Sequence, residues 1–438
     1  MKPMKTLEVT DDATFASATE FVVARGAGAD SEAEVREKTE AVRTIVDDVR
    51  ERGDAAVAEY TERFDKVALS PDEFELEAAD LDAAVEQVDD ALLAALKRAH
   101  ANIQRFHEKN LRQSWEDVSD DGTVLGQRVG PIESAGLYVP GGKAFYPSSV
   151  LMNFVPACVA GVPEIVMVSP PSYEGSIHPV MLAAARIAGA TRVFRVGGAQ
   201  AVAALAYGTE SIPAVAKIAG PGNIFVTLAK RLVSAVCDID KEAGPSEVVV
   251  IADEAAEPRY VALELLAQAE HEEEACATLI TPSADLAGRV QEEVERQASS
   301  LSRTGIIEEA LRSRGLVLVV RDLADAVSLT NAIAPEHLSI QTQEPRAVFE
   351  GIQNAGAAML GPSTPVAVGD YYAGPNHVLP TGRRARYASP LTAEDFRKVT
   401  SVISYSPQRL AQDADDILLL AEAEELTAHA RAVEIRLQ

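Results

Sequence analysis

From residue 164 onward, short apolar runs alternate with stretches of helical periodicity, and this alternation is what most constrains the fold. Glu164–Val168 (EIVMV), Arg192–Val196 and Lys217–Ala219 read as strands. Pro179–Ile187, Ala199–Tyr207 and Asn223–Val236 read as the helices that follow them. Strands so uniformly apolar are covered on both faces, the habit of parallel sheets built from strand–helix–strand units. After Ala243–Glu247 (AGPSE) a second series opens, with strands at Val248–Ala252, Ala277–Thr281, Leu316–Val320, Leu338–Gln341 and Ala357–Leu360. Helices near Pro258–Gln268, Asp285–Leu301, Leu323–Ile333 and Ala347–Gln353 intervene. The expected fold class is α/β: two doubly wound, Rossmann-like domains without a GxGxxG turn, plus small N- and C-terminal domains.

The 438 residues exceed one ordinary domain. Residues 31–110 read as helices: Ser31 precedes an acidic amphipathic run, Gly53 interrupts it, and Leu81–Asn110 carries apolar residues at helical spacing. Gly122–Val139 shifts to short β-like runs, Gly361–Gly382 reads as loop, and a helical tail starts near Leu391. The expected division is an N-terminal segment 1–30, one α/β domain from 31–137 with 246–390, a second from 138–245, and a helical C-terminal domain 391–438.

Charge limits the partners. A formal −27 excludes nucleic acid and anionic membranes, which need a basic surface. Eleven of the 40 basic residues are Lys, and acidic side chains crowd Ser31–Arg52 and Asp285–Arg296. An ordinary acidic cytosolic enzyme has such a surface; so does a halophilic one, where screening over about 3 Å at 1 M salt makes it tolerable. The second reading is the expectation. The N-terminus MKPMKTLEVTDDATF lacks an apolar signal region, and no run of about 18 apolar residues occurs. A soluble, cytoplasmic protein is therefore expected.

Three strand-to-helix turns carry glycines: Tyr138-Val-Pro-Gly-Gly142, Val196-Gly-Gly-Ala-Gln200 and Ala219-Gly-Pro-Gly-Asn223. Such turns let backbone approach a ligand, though they also merely permit tight packing. The Tyr138 ring is available, on this reading, to stack on a base. Of the seven His, His100, His107 and His178 fall in helical surface patterns and read as structural. Gln268 and His271 in AQAEH stand i,i+3 on one helix face, as metal ligands or simply as surface groups. GDYYAGPNH places Asp370 and His377 in a loop, and PEHL places Glu336 and His337 at a helix-to-strand junction. An adjacent Glu and His suit acid–base work near neutrality. Cys158, Cys237 and Cys276 lack CxxC spacing, lie in apolar stretches, and read as small buried hydrophobes.

The strings GLYVPGG, PSSVLMN, VGGAQAVAALAYGTE, GPGN, AGPSEVVVIAD, LLAQAEH, PEHL, GDYYAGPNHVLPT and LTAHA, in this order and spacing, resemble the histidinol dehydrogenase family from about residue 30 to 430. The resemblance implies NAD-dependent, four-electron oxidation of L-histidinol through histidinal to L-histidine. It implies one zinc ion per subunit, with ligands matching Gln268, His271, Asp370 and His429, the last supplied across a homodimer by an exchanged C-terminal domain. Glu336 and His337 match the catalytic dyad. Ser246, Gln268, His271, His337, Asp370, His377, Glu424 and His429 match substrate-binding positions, and Tyr138, Gln200 and Asn223 match NAD-binding ones. On this implication 138–245 is the NAD-binding domain, and 31–137 with 246–390 holds most zinc and catalytic residues. Hydride transfer with an activated water needs no thiol, in keeping with the three cysteines.

Overall fold

The computed structural model describes residues 4–25, 32–141, 145–242 and 244–438; Ser31, Gly142 and Ala243, named above, lie outside them. The chain opens with β1 (Lys5–Glu8), α1 (Asp12–Arg25), α2 (Glu32–Arg52), α3 (Asp54–Asp65), β2 (Glu75–Leu76), α4 (Ala78–Glu86) and α5 (Asp90–Glu108). An antiparallel pair follows, β3 (Trp115–Val118) and β4 (Val124–Pro131). The first alternating series is β5 (Ser134–Tyr138), α6 (Pro147–Ala160), β6 (Glu164–Val168), α7 (Pro179–Ile187), β7 (Arg192–Phe194), α8 (Gly198–Tyr207), β8 (Lys217–Ala219), α9 (Ile224–Val233) and β9 (Asp238–Ile239). The second is β10 (Glu247–Ala252), α10 (Pro258–Ala269), β11 (Cys276–Thr281), α11 (Ala284–Ala298), α12 (Thr304–Arg314), β12 (Gly315–Val319), α13 (Leu323–Ile333), β13 (His337–Gln341), α14 (Pro345–Phe349), β14 (Ala357–Leu360) and α15 (Val366–Tyr371). β15 (Arg397–Ser404), α16 (Pro407–Ala423) and α17 (Thr427–Glu434) close the chain.

These strands form two six-stranded sheets and one three-stranded sheet. The first runs β2-β7-β6-β5-β8-β9, parallel except for β2, and the second runs β1-β12-β11-β10-β13-β14, parallel throughout. Val248–Ala252 and Val166–Val168 are almost wholly buried, as strands covered by helices on both faces must be. The α/β class with two doubly wound sheets is as expected.

The grouping of segments departs from the expected division. Strand β5 lies inside the first sheet, and Val42, Ile45, Val46 and Val49 of α2, an i, i+3, i+4, i+7 stripe, enter the same core as α8 and α9. Helices α2 to α5 and strand β5 thus pack on the 138–245 side, whereas β3 and β4 join β15 in the three-stranded sheet. The N-terminal segment gives β1 to the edge of the second sheet and packs α1 on α13. Periodicity marks an apolar face but not what covers it. The tail from Leu391 is not wholly helical: β15 pairs antiparallel with β4 over eight residues before α16 begins. Inside 361–382, expected as loop, α15 carries Asp370 on a helical turn. The expected helix Asp285–Leu301 ends at Ala298 in α11, and α12 follows it as a separate helix.

Candidate active site

The two sheets offer opposite ends to the site. Tyr138 ends β5, and the 196–200 and 219–223 turns follow β7 and β8, so the first sheet contributes the carboxyl ends of its strands. The second sheet contributes amino ends. Glu247 starts β10, His337 starts β13, and Val248 pairs with His337 in register, so Ser246, Glu247, Glu336 and His337 lie side by side.

Glu336 and His337 are both buried. The backbone N–H of Glu247 donates to Glu336 Oε2 at 2.8 Å. His337 Nε2 stands 3.0 Å from Asp370 Oδ1, whereas its Nδ1, 3.5 Å from Glu336 Oε2, is in ion-pair range but makes no hydrogen bond. Burial pulls the imidazole pKa down, but the carboxylates on either side outweigh it and raise the value to about 10. The Asp370 carboxyl is pushed up by burial and, more strongly, held below its ordinary range by His337, with His377 and His271 adding to the effect.

His377 faces the other way. Its Nδ1 lies 2.8 Å from the Asp370 carbonyl, which only accepts, so Nδ1 carries the proton. Nε2 then accepts from Ser149 Oγ at 3.0 Å. Burial keeps this imidazole below its ordinary pKa, and hence neutral. Ser149 is buried on α6 beside Asn153, whose Nδ2 donates to the Ser149 carbonyl at 2.7 Å. Sequence reading assigned neither a role. The available signal was Ser149 and Asn153 four apart, with Ser148, in a helix that is otherwise mostly apolar.

Gln268 is buried near the end of α10 with Nε2 unpartnered, and His271 follows in the next turn, its N–H donating to the Gln268 carbonyl at 3.2 Å. His271 opens onto a cavity of about 500 Å³ lined by Leu92, Phe145, Tyr371 and Tyr372 among others. Glu424 caps the C-terminus of α16 and His429 lies on α17; both are exposed. Among the described residues no three His, Cys, Asp or Glu side chains stand together as a metal cage. His271 adjoins Gln268 through the backbone, its charge reaches Asp370, and it lines one cavity with Tyr371, which follows Asp370; His429 and Glu424 line neither that cavity nor the larger one.

The glycine turns are built for close approach. A Cβ on Gly220, whose φ is +115°, would lie 2.0 Å from the Tyr138 carbonyl oxygen. Beneath that turn Lys230 and Asp240 form a buried ion pair: Lys230 Nζ also donates to the Gly220 and Lys241 carbonyls, and Asp240 Oδ2 accepts from Gly220 N–H at 2.9 Å. Asn223 is exposed and N-caps α9, accepting from Phe225 and Val226 N–H. The N-terminus of α8 has no side-chain cap, and Gln200, 1 % exposed, leaves both amide atoms unpaired. The Tyr138 ring is not free to stack on a base. It is 4 % exposed within the core, and its hydroxyl accepts from Gly198 N–H at 3.1 Å. A cavity of about 610 Å³ joins Gly222 and Asn223 to Glu247, Glu272 and Gly382, and so runs from the turns to the neighbourhood of the dyad.

Two other expectations need correction, and one residue was overlooked. His107 is wholly buried with both ring nitrogens unpaired, and burial lowers its pKa to about 4, so it is not a surface residue. Of the cysteines, Cys158 is exposed and Cys276 half-buried; Cys237 alone is buried. Burial pushes the thiols of Cys237 and Cys276 up to about 11, far from thiolate reactivity. Glu247 was missed as a site residue; a carboxylate directly before the apolar run VVVIA was the only hint. Burial raises it to about 7, with Glu336 adding to the effect.

Comparison with known proteins places these residues in context. Residues 29–437 match the family described as histidinol dehydrogenase. The chain is 54% identical over 397 residues to histidinol dehydrogenase of Heliobacterium mobile, covering 91% of this chain and 93% of that one. It is 50% identical over 398 residues to that of Halalkalibacterium halodurans, with the same coverage. The crystal structure of histidinol dehydrogenase from Elizabethkingia anophelis superposes with a TM-score of 0.92 at 32% identity, covering 100% of this chain and 99% of that one.

Proposed function

Since the chain belongs to the histidinol dehydrogenase family and is an oxidoreductase of histidine biosynthesis, we propose that it oxidises L-histidinol with NAD at a zinc site completed by a second copy of itself. The observation that carries the reading is the contact of His337 with Asp370 next to Glu336, beside a cleft that leads to the glycine turns.

The donors suit zinc. Gln268 keeps a buried amide nitrogen unbonded, so the amide can turn its oxygen outward; Asp370 is held ionised; His271 supplies an imidazole. His429 is the fourth expected ligand, and its exposure on α17 supports delivery across a homodimer interface. When bound, zinc would hold the substrate's imidazole and amino nitrogens and so fix its carbinol carbon. The NAD residues also fit. Gln200 offers an unpaired amide at an uncapped helix N-terminus, and Gly220 lets the 219–223 turn pack directly on the Tyr138 backbone, which fixes where Asn223 is presented. NAD would take one hydride in each oxidation.

The chain's own groups divide the proton work. His337 receives the alcohol proton. Were Asp370 to hold a cation, burial would work against the imidazolium with one carboxylate fewer to favour it, which would suit His337 to accept that proton. Glu336, fixed by the Glu247 N–H, takes a proton from water as that water attacks the aldehyde, and His337 takes the hydrate proton in the second oxidation. His377, neutral and held by Ser149 and the Asp370 carbonyl, fixes the α15 turn against α6 and is a substrate-binding position with Ser246 and Glu424. No helix among the described residues is long and apolar enough to cross a membrane, and a cytoplasmic, salt-adapted enzyme fits the −27 charge.

One experiment tests the site. Histidinol-dependent NADH formation should vanish on chelation, and His271→Ala should lose bound zinc. Mixed and re-formed His271→Ala and His429→Ala subunits should recover part of the activity. Full turnover in verified metal-free protein would refute the zinc role, and no recovery in re-formed heterodimers would refute the shared site.

A further inference from the structure

The oxidation releases protons that the site must export. Written in full, R–CH2OH + 2 NAD+ + H2O gives R–COO− + 2 NADH + 3 H+, so each turnover leaves three protons on buried groups. Glu336 and His337 are 8 % and 5 % exposed, and neither lines either cavity described above. Glu247 touches both sides of that barrier. Its backbone N–H holds Glu336 Oε2 at 2.8 Å, and its side chain lines the 610 Å³ cavity together with Glu272 and Gly382. One carboxylate oxygen, Oε1, accepts from the Gly382 N–H, and among the described residues no hydrogen bond engages Oε2.

We propose that Glu247 is the proton exit of the site, taking the proton from the Glu336 carboxyl and passing it to solvent in the cavity between the two sheets. The inference rests on the dehydrogenase reading above. In each transfer an O–H bond of Glu336 breaks as one forms on Glu247 Oε2, directly or through one water. Glu247 then loses that proton to cavity water, and no electrons move. The charged groups around Glu247 suit a carrier. Glu336 opposes its ionisation; Arg384, His337 and the Gly382 amide favour it; Cys276, Glu272, Glu274, Arg25 and Arg314 line the same cavity. The balance leaves the carboxyl titrating near neutrality, where both loading and unloading are easy.

Glu247→Gln keeps an acceptor for Gly382 and leaves the backbone N–H on Glu336, but cannot carry a proton. Stopped-flow mixing of the zinc-loaded enzyme with histidinol and NAD in weak buffer, with a pH-indicator dye, reads NADH and protons together. In the wild type the two should rise in step; absence of NADH there would sink the dehydrogenase reading itself, not the exit. In Glu247→Gln, proton release or the second NADH should slow at least tenfold. Glu247→Asp, or high concentrations of the small buffer MES, should restore much of the rate. Coincident, wild-type phases in Glu247→Gln would overturn the proposal. So would a folded but slow Glu247→Gln that MES does not rescue together with a Glu247→Asp that stays equally slow, since that pattern marks a positioning role alone.

Discussion

The turn that presents Asn223 depends on a buried charge pair, and removing one partner should be felt both in stability and in cofactor binding. Lys230 is 2 % exposed, and its ammonium directs its protons at Asp240, the Gly220 carbonyl and the Lys241 carbonyl. Asp240 answers with Oδ1 on Lys230 and Oδ2 on Gly220 N–H. Lys230→Met leaves Asp240 buried and uncompensated, and breaking such a pair costs about 3–5 kcal/mol. Because unfolding of so long a chain is not expected to be two-state, the local measurement is amide exchange over residues 217–240. At about 1.4 kcal/mol per factor of ten, exchange there should quicken by at least ~10²-fold. The KM for NAD should rise more than kcat falls, because the 219–223 turn loses its anchor while the dyad is untouched. Lys230→Met/Asp240→Leu removes the stranded charge and should recover much of the protection. It should not recover the NAD KM, since Gly220 would still lack both partners. Exchange in Lys230→Met within threefold of wild type would refute the reasoning.

The dyad should split by substrate: Glu336→Gln should lose ~10²–10⁴-fold on supplied histidinal but less on the first hydride transfer in single-turnover NADH formation, while His337→Asn slows both. Equal losses in Glu336→Gln would mean that the pair acts as one unit. In metal-free protein His337 has a pKa raised from 6.5 to about 10, so its stabilisation is complete below pH 6.5 and is lost as pH rises through 10. Urea midpoints of chelator-treated protein should fall across that window, and His337→Asn should flatten the slope. With 67 acidic against 40 basic residues, thermal stability and activity should rise from low to molar KCl, and an unchanged melting temperature would count against salt adaptation.

Much of the fold was legible because parallel strands buried on both faces leave continuous apolar runs such as EIVMV and EVVVIA, bounded by helical periodicity. The motifs likewise announced local chemistry, since an adjacent Glu336 and His337, or Gln268 and His271 one turn apart, are facts of spacing. What spacing could not state is which distant segment each group meets. That His337 touches Asp370, 33 residues on, and that His377 meets Ser149, 228 residues back, was decided by how the segment after the second sheet's edge strand β14 meets α6 on the first sheet. Tyr138 looked like an open stacking surface because a strand-end aromatic beside glycines carries no mark of burial; the packing of β5 against α8 closed it. The same holds for β1, whose four residues have no signal beyond a free edge to pair with, and for Glu247. The sequence determined the elements and the types of reactive group. Only the tertiary structure decided their neighbours, and neighbours set the protonation of each group, because desolvation and nearby charge act through space rather than along the chain.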